Sequence, residues 1–532
     1  MCASSIEVAL GLLSNIFAPE QKAVSAKVVR NVLFSALQSV LVFPIPFLLI
    51  PFILKKVGIG EYGSYAVFMT VIGFTSLTDL GMFGTLTKHV AEYYAQGDFF
   101  ALKRLLDTGL MLYILISLFL MGGLWIFGGK LLPLFFRNVS TPYAELRTLW
   151  LVMILTMGAS FLTAPFSSVV LGLQRMDLSS ALAFVSVVST ALFTVAFLFL
   201  GYRLMGLVWA NLAGAVVSLA LLVGLARRLL PRVSINPFHF DRRQMREIFS
   251  FSARLYTMQA SGVVQSQIEK VYLAGFVGVV PVGWYNIANT GGMKARRLPE
   301  LLLFPVMAAA SELDAKGHGE KLEELYYRSH KYLAFLSVPT VILVGVLCRP
   351  FVNLWLGPSL DLVAIPLALL VLTNMVTMTS GPGTHIFIGQ GRLTPAVIAA
   401  SSATALNLVM SLFLIRSYGF PGAVVGTLAS ACVGAILFIC LFHRQTGYPY
   451  GRLFAESYLK PLCASLAGAV ACFAIGPSQH IGWGGLVVKV VVFGVVYLTA
   501  LILTRFFDGF DLKQVGRLLP VFRPVRGALP ER

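Results

Sequence analysis

The chain has 532 residues, of which 57% are hydrophobic and only 12% are charged. Its mean hydropathy of +0.82 excludes a soluble globular protein, because a soluble fold has too little polar surface to cover so much apolar material. The net charge of +18 does not indicate a nucleic-acid-binding protein, since the basic residues of membrane proteins collect in cytoplasmic loops.

The first predicted element is a short N-terminal segment, residues 1–30, which precedes the membrane-spanning part. Apolar residues recur there at helical spacing and predict a helix at the membrane interface; they are Ile6, Leu10, Leu13 and Phe17. The segment has no basic stretch before its apolar residues, so we expect no cleaved signal peptide.

Fourteen apolar runs follow, and each is long enough to cross the hydrocarbon core as a helix. We therefore predict an all-α integral membrane protein of about 14 transmembrane helices. The predicted spans are about 31–54, 62–86, 108–128, 148–172, 180–201, 206–226, 249–276, 283–310, 331–348, 363–388, 395–415, 422–442, 459–476 and 484–504.

The distribution of basic residues predicts the orientation of these spans. If the N-terminus is cytoplasmic, the cytoplasmic segments hold about three times as many Lys and Arg residues as the outer loops. Both termini are then cytoplasmic, including the tail 506–532. The longest connection, 227–248, is basic and is predicted to be a cytoplasmic linker between two halves. The outer loops are too short for a folded external domain.

Short motifs recur along the chain at a nearly constant offset of 216 to 220 residues. The matching segments are Val57-Gly58 and Val277-Gly278, Gly63-Ser64-Tyr65 and Gly283-Trp284-Tyr285, Leu171–Arg175 and Ile388–Arg392, and Tyr202–Gly206 and Tyr418–Gly422. The offset joins the first span to the seventh, which starts on the same side. We therefore predict two pseudo-symmetric six-helix bundles, 31–226 and 249–442, related by an axis along the membrane normal. Two additional helices lie in residues 443–505.

Five segments resemble motifs of the polysaccharide-biosynthesis flippases: Val57-Gly58, Tyr62-Gly63-Ser64-Tyr65, Thr78-Asp79-Leu80-Gly81-Met82, Leu173-Gln174-Arg175 and the stretch from Gly283 to Ala288. That family lies in the multidrug/oligosaccharidyl-lipid/polysaccharide exporter (MOP) superfamily and includes the O-antigen (Wzx-type) flippases of lipopolysaccharide assembly. The resemblance covers about residues 27–445. It implies transport of an undecaprenyl-diphosphate-linked oligosaccharide from the inner to the outer leaflet of a bacterial cytoplasmic membrane. It does not identify the glycan.

The eighth span holds the strongest candidate site, formed by Lys294, Arg296, Arg297 and Glu300. A charge at the centre of a span costs roughly 2.5–3.5 kcal/mol on insertion scales, so these groups must face water, partners or an anionic ligand. Helical geometry lets Arg296 pair with Glu300 and turns Lys294 and Arg297 to another side. The flanking glycine pair and Pro299 predict a bend. The pattern favours a cationic cavity that binds a diphosphate headgroup; a structural ion-pair cluster is the alternative.

The seventh span also contains charged residues, namely Arg254, Glu269 and Lys270. Arg254 and Lys270 are further candidates for binding the substrate. Sequence neighbours point apart on a helix, so we expect Glu269 to find partners across the bundle rather than on Lys270. The resembling flippases often carry an acidic-basic pair at this position. Three roles stay open for Glu269: support of the phosphate site, binding of a coupling proton or sodium ion, and hydrogen bonding between helices.

Asp79 is the third candidate, near the cytoplasmic end of the second span. It can cap a helix or pair with Lys88. Alternatively, it is a gating residue that changes partners between the inward and outward states. Glu269 and Glu300 are the other residues to which we assign coupling or gating.

No catalytic constellation, metal-ligand spacing or Walker A phosphate loop occurs in the sequence, so we expect no enzyme activity, no metal and no cofactor.

The predicted function is a flippase that works by alternating access. Its expected partners are a lipid-linked oligosaccharide, membrane lipids, H⁺ or Na⁺ as the coupling ion, and other glycan-assembly membrane proteins. A cation-coupled multidrug exporter of the same fold, which predicts acidic cavity residues, and a membrane glycan polymerase or ligase, which needs a larger outer loop, are the alternatives.

Overall fold

Every regular element in the described part of the chain is helical. This computed structural model describes residues 41–136, 142–231, 253–476 and 481–509, together with residues 38, 233, 236, 241, 244, 245 and 511. The predicted interfacial segment 1–30, most of the linker 227–248 and most of the tail 506–532 lie outside the described residues.

The helices divide between the two halves of the chain. The first half contains α1 (Pro44–Gly73), α2 (Thr75–Thr78), α3 (Met82–Gln96), α4 (Phe99–Phe135), α5 (Tyr143–Phe161), α6 (Thr163–Gly172), α7 (Met176–Phe199) and α8 (Arg203–Leu229). The second contains α9 (Ala253–Phe276), α10 (Val279–Leu301), α11 (Phe304–Ala315), α12 (Gly319–Leu356), α13 (Ala364–Met378), α14 (Gly381–Gly389), α15 (Thr394–Tyr418), α16 (Phe420–Thr446), α17 (Tyr450–Arg452), α18 (Lys460–Ala474) and α19 (Trp483–Leu503). A 3₁₀ turn, Pro358–Val363, precedes α13, and a π-helical segment, Leu453–Leu459, joins α17 to α18.

All fourteen predicted spans fall on helices wherever they are described, which confirms an all-helical, multi-pass membrane protein. Gly58, with φ of 78°, divides α1 between the first two spans. Within the described residues, ten helical segments are long and apolar enough to cross a membrane, and the bent pair Pro44–Thr78 and Met82–Gln96, counted as one span, makes eleven. The helices α9 and α10 are not among them, because their many polar residues, including the charged ones singled out above, lower their hydropathy.

Two helices extend well beyond their predicted spans. The helix α4 has 37 residues where the sequence predicts 108–128, and α12 has 38 residues where it predicts 331–348. At 1.5 Å per residue each is about 55 Å long, compared with a hydrocarbon core of about 30 Å. Hydropathy therefore marks the part of each helix in lipid, while polar helix-forming residues continue the helix into water.

The two halves repeat one another in their loops as well as in their helices. Positive φ angles, which favour glycine, occur at matching loop positions. The pairs are Gly58 and Gly278, Gly97 and Gly317, Gln174 and Gly391, and Arg203 and Gly419, at offsets of 216 to 220 residues. The loop conformation is thus kept even where one half has Gln174 or Arg203.

The chain folds as two pseudo-symmetric six-helix bundles followed by two further helices; the domain boundaries stay predictions.

Four spans that the sequence predicts as continuous are each broken into shorter helices. The breaks lie at residues 79–81 in the second span, where the bend is 51°, at Leu162 between α5 and α6, at residues 302–303 between α10 and α11, and at residues 379–380 between α13 and α14. The second and eighth spans correspond in the repeat, as do the fourth and tenth. Each bundle therefore has the same two broken helices.

The glycine pair in α10 does not produce the expected bend. The break comes just after Pro299, while Gly291 and Gly292 lie inside a continuous helix. A Cβ on Gly291 would lie 2.2 Å from Leu367 Cδ1, and one on Gly292 would lie 3.0 Å from the backbone carbonyl oxygen of Leu370. These glycines allow α10 to pack closely against α13. This packing determines the position of the charged turn that follows them in α10.

The two bundles meet at a pair of equivalent glycines. Gly63 of α1 and Gly283 of α10 face each other, and a Cβ on Gly63 would lie only 2.0 Å from the carbonyl oxygen of Val279. This crossing is close to the end of the molecule that carries Gly58 and Gly278, the predicted outer side. Only glycine permits so close an approach of two backbones.

Polar contacts and an apolar core also close this end. The side-chain amide of Asn286 donates a hydrogen bond of 2.9 Å to the Tyr62 hydroxyl. The indole of Trp355 donates one of 2.6 Å to the backbone oxygen of Phe47. A single cluster of buried apolar residues runs through both bundles here. The structure is therefore closed at the predicted outer end.

The last two helices, α18 and α19, pack against each other and against α12. Lys489 is buried in the apolar helix α19, and its ammonium donates to the backbone oxygen of Gly476, at 2.7 Å, just past the end of α18. This contact satisfies a free carbonyl at the end of the neighbouring helix.

Candidate functional site

The charged turn of α10 carries three cations and one carboxylate, and two of the cations contact that carboxylate. Arg296 Nη2 lies 3.3 Å from Glu300 Oε1, as the helical spacing predicts. Arg297 Nη1 also reaches the carboxylate, at 3.4 Å from Oε2, so Arg297 is less free than expected. Lys294 has no ion pair or hydrogen bond among the described residues. The group therefore retains an excess of two positive charges.

These cations differ in their surroundings. Lys294 and Arg296 are half-buried, while the side chain of Arg297 is 49% exposed. Arg296 Nε is buried and has no hydrogen-bond partner among the described atoms. The turn thus presents unused donors inside the second bundle, where a charge is costly unless it is paired or hydrated.

A cavity of about 500 Å³ with a mixed lining, more apolar than polar, lies inside the second bundle, with Arg296 and Glu300 in its wall. It is called the polar cavity below, after the charged, hydroxyl and amide groups that it contains. Its other polar lining residues are Ser261, Gln265, Ser266, Tyr285, Asn289, Thr373, Asn374, Thr377, Ser380, Thr384, His385 and Thr427. Alanine and glycine residues of α15 and α16 form much of the remaining wall and leave the space open. The volume falls in the usual range for ligand cavities, about 300–1,000 Å³.

Glu269 lies in a buried network that joins three helices of the second bundle. The side chain is fully buried, with Asn407 Nδ2 of α15 donating to Oε1 at 2.7 Å. The Thr427 hydroxyl of α16 is 3.0 Å from the same oxygen. Oε2 of Glu269 and Oδ1 of Asn407 are buried without a partner among the described atoms. The expectation that Glu269 finds its partners across the bundle is confirmed.

The Glu269 network touches the polar cavity. Thr427 and Tyr285 line the cavity and lie within 3.3 Å of each other through their hydroxyl oxygens. Because Thr427 also contacts Glu269, a polar route leads from Arg296 and Glu300 to the buried carboxylate.

Lys270 is buried on another side of α9. Its ammonium donates to Gln267 Oε1 at 3.3 Å. Gln267 lies close to Gly73 of the first bundle, since a Cβ on Gly73 would be 2.7 Å from Gln267 Nε2. Lys270 thus lies near the surface where the bundles meet, apart from the α10 cations. Arg254 is in the first turn of α9, and its side chain lies outside the described residues.

Asp79 lies at the break of the second span rather than near its end, because the helix resumes as α3 and continues to Gln96. The Tyr113 hydroxyl donates to Asp79 Oδ1, and the Phe83 amide donates to Oδ2 at 3.3 Å. Asp79 therefore caps the start of α3, which is one of the two structural roles expected of it, the other being an ion pair with Lys88. The adjacent Leu80 has φ of 50°, a strained conformation for a non-glycine residue.

A model of the family described as "Polysaccharide biosynthesis protein" matches residues 28–311 of the chain, just over half of its length. The match includes the first bundle and the charged turn of α10. It ends within α11, before the helices that complete the polar cavity.

Three relatives show similar sequences. The succinoglycan biosynthesis transport protein ExoT of Rhizobium meliloti is 24% identical over 84% of this chain and 85% of ExoT. The probable low-salt glycan biosynthesis flippase Agl15 of Haloferax volcanii is 20% identical over 74% of this chain and 78% of Agl15. The uncharacterized membrane protein MJ1068 of Methanocaldococcus jannaschii is 23% identical, over 52% of this chain and 56% of that protein.

Two solved structures share the fold. The Lipid II flippase MurJ, in its inward closed conformation, superposes with a TM-score of 0.70 at 14% identity, over 90% of this chain and 99% of MurJ. An inward-facing multidrug resistance MATE family transporter of the MOP superfamily gives 0.62 at 16% identity, over 77% and 98%. At these identities the likeness establishes the architecture alone.

Proposed function

The chain belongs to the polysaccharide biosynthesis protein family, and we propose that it flips an undecaprenyl-diphosphate-linked oligosaccharide from the inner to the outer leaflet of a bacterial cytoplasmic membrane. The family match and the fold shared with MOP-superfamily transporters support a transport role in glycan biosynthesis. The lipid-linked substrate, the direction of movement, the bacterial membrane and the cytoplasmic termini belong to the proposal.

The observation that carries the proposal is the cationic turn of α10. Arg296 and Arg297 share the single carboxylate of Glu300, and Lys294 has no partner among the described residues. A diphosphate supplies the missing negative charge, and its oxygens suit both the planar fork of Arg297 and the point charge of Lys294. Arg254 and Lys270 of α9 are further candidates for this headgroup.

The neutral part of the cavity suits the glycan. Its hydroxyl and amide side chains are the groups that form hydrogen bonds with sugar hydroxyls without selecting for charge. Of the charged turn, Arg296 and Glu300 lie in the wall of the cavity, whereas Lys294 and Arg297 are on the same turn but outside the wall. In this proposal the diphosphate therefore binds beside the cavity that receives the glycan. The polyprenyl tail then stays in the membrane while the headgroup crosses between the bundles.

The closure at one end supports a mechanism of alternating access. The bundles are held together near Gly63 and Gly283, so substrate enters from the opposite, predicted cytoplasmic, end. A diphosphate carries about two negative charges, and each charge that leaves an inside-negative cell gains about 2.3 kcal/mol per 100 mV. The membrane potential alone can therefore drive the headgroup outward. Asp79 and Glu300 are proposed to gate the movement.

The multidrug-exporter alternative shares the fold but fits the charges less well. A site for cationic drugs requires acidic groups, whereas the α10 turn carries an excess of cations. The alternative of a glycan polymerase or ligase fits neither the short outer loops nor the transport functions named for ExoT and Agl15.

A reconstitution experiment separates these possibilities. The purified protein is placed in liposomes with the lipid-linked oligosaccharide extracted from the source organism and labelled on its glycan, and the label exposed to an impermeant quencher is followed over time. We expect the exposed fraction to equilibrate at least about 10-fold faster than in protein-free liposomes. Transport of ethidium without any movement of the labelled lipid would favour the drug exporter instead.

Glu269 is proposed to be the coupling residue. A fully buried carboxylate with one oxygen unpaired among the described atoms is costly as a bare anion, so the network favours a bound proton or sodium ion. These oxygens of Glu269 and Asn407, together with the Thr427 hydroxyl, provide the oxygen ligands that a small hard cation prefers. The polar route to the cavity gives an ion access from the site of the substrate.

The Glu269→Gln variant tests this role. We expect it to lose at least about 10-fold of the transport that an imposed proton or sodium gradient adds, because the neutral amide neither releases a proton nor offers a charge to a cation. Transport by matched proteoliposomes, with each gradient imposed separately at fixed potential, gives the measurement. The exposed Glu320→Gln substitution in α12 is the control. Gradient-dependent transport that survives in Glu269→Gln would contradict the assignment.

A further inference from the structure

A second cavity, of about 240 Å³, lies at the predicted cytoplasmic end of the molecule, where α12, the start of α18 and the residues after α19 meet. None of its lining residues belongs to the α10 site. Five basic side chains line it: Arg328, Lys331, Arg452, Lys460 and Arg505. Three carboxylates, Glu324, Glu456 and Asp508, lie among them. The cavity is thus built from a core helix and from the two helices outside the repeat.

Some of these cations are already neutralised. Lys331 Nζ lies 2.5 Å from Asp511 Oδ2, and Arg328 Nε lies 2.7 Å from Glu324 Oε1. Arg452 lies 3.1 Å from Glu456. Asp508, the third lining carboxylate, lies 3.2 Å from Arg328 Nη1 and 3.5 Å from Lys331 Nζ, and Glu323 lies 3.0 Å from Arg452 Nη1. The carboxylates of the cavity are thus all paired with Arg328, Lys331 or Arg452.

Two cations remain without a carboxylate among the described residues. The ammonium of Lys460 donates only to the backbone oxygen of Arg505, at 3.2 Å. The guanidinium of Arg505 has no hydrogen bond or ion pair with a described residue. Both side chains line the same cavity. An anion placed between them would meet two unused positive charges.

Exposed apolar residues lie close in sequence to the basic residues of the cavity. They are Phe454 and Leu459, on the π-helical segment, and Ile502 and Leu503, at the end of α19. In a membrane protein such side chains face acyl chains, and basic residues beside them lie at the level of the headgroups. The cavity therefore opens where a phospholipid has its phosphate.

We propose that this cavity binds the phosphate of an anionic phospholipid of the cytoplasmic leaflet, with Lys460 and Arg505 as its direct contacts. The acyl chains lie along the exposed apolar residues of α18 and α19. The bound lipid holds these two helices against α12 at the membrane surface. Basic pockets between helices on the cytoplasmic side are a known mode of lipid headgroup recognition.

The test uses the full chain purified in a neutral detergent and titrated with dioleoyl phosphatidylglycerol, with the thermal unfolding temperature as the readout. We expect stabilisation by phosphatidylglycerol, little by phosphatidylcholine, and an affinity about 30-fold lower in the Lys460→Gln, Arg505→Gln variant, equal to about 2 kcal/mol. The Lys321→Gln, Arg444→Gln variant removes the same charges from exposed positions elsewhere on this face and should bind like the wild type. Transport is not part of the readout, so failure of the flippase proposal leaves this test intact.

Each other result overturns the proposal. Equal affinities in the two double variants would show that the lipid binds elsewhere. Equal stabilisation by phosphatidylcholine would show no selection for net charge. Stabilisation by millimolar inorganic phosphate that abolishes the lipid effect would assign the cavity to a free anion. If the double variant does not fold, the charge-preserving Lys460→Arg, Arg505→Lys variant should retain binding, and loss of binding there would count equally against the site.

Discussion

The Lys294→Glu, Arg297→Glu variant is expected to lose transport of the lipid-linked oligosaccharide by at least about 100-fold. Hydrogen bonds to charged groups contribute about 1.5–3 kcal/mol each, and the variant removes two candidate contacts to the diphosphate. It also adds two negative charges next to Glu300, which repel the substrate. The initial rate in proteoliposomes containing the labelled lipid-linked oligosaccharide is the measurement.

Two controls separate a binding defect from a folding defect. Lys321→Glu, Arg444→Glu makes the same change of charge on exposed residues and should transport at the wild-type rate. Lys294→Gln alone should lower transport about 10-fold with little loss of stability, because Lys294 has no described partner and its removal leaves no carboxylate unpaired. A folded double variant that transports normally would exclude the α10 turn as the diphosphate site.

Part of this site could be predicted from helical geometry alone. Residues four positions apart share a face, so the Arg296–Glu300 contact follows from the sequence. The second contact, from Arg297, also has helical spacing, but its formation depends on the conformations of two long side chains. The sequence therefore indicated where the charges lie and overestimated how many are free.

The partners of Glu269 could not be predicted in the same way. The sequence indicates a partner on another helix, but Asn407 and Thr427 are 138 and 158 residues away. Their contact depends on how α9, α15 and α16 are rotated and shifted against one another, and packing of the whole bundle fixes those quantities. The same holds for the polar cavity, whose lining comes from helices across the whole second half of the chain.

The helix count and the repeat were readily predictable, whereas helix breaks were not. Apolar runs indicate which segments cross the membrane, and the bias of basic residues indicates their orientation. The repeat could be predicted because the matching motifs lie at loops that have the same conformation in both halves. A break depends on local backbone conformation, as at Leu80, where a positive φ is adopted by a residue that gives no sign of it in the sequence. Conversely, Gly291 suggests a break where there is none: it lies in a continuous helix and permits close packing against α13.

The Gly63→Ala variant is expected to open the outer end of the molecule. Its methyl carbon would lie only 2.0 Å from the Val279 carbonyl oxygen, and neither backbone can yield locally. Overpacking of this kind costs about 1–3 kcal/mol, which corresponds to roughly a 5- to 150-fold change in the ratio of closed to open forms. The substitution therefore acts on the equilibrium that alternating access requires.

The distance between spin labels at Tyr202 and Tyr418, equivalent exposed positions at helix ends in the two bundles, measures this change. We expect Gly63→Ala to shift the distance distribution to longer values and to slow transport, since a flippase that cannot close its outer end cannot return to accept substrate. Gly84→Ala in α3 is the matched control, because a Cβ there meets nothing within 4 Å. If both variants gave the wild-type distances, the close approach at Gly63 would be a packing detail, and the closure would rest on the Tyr62 and Trp355 contacts instead.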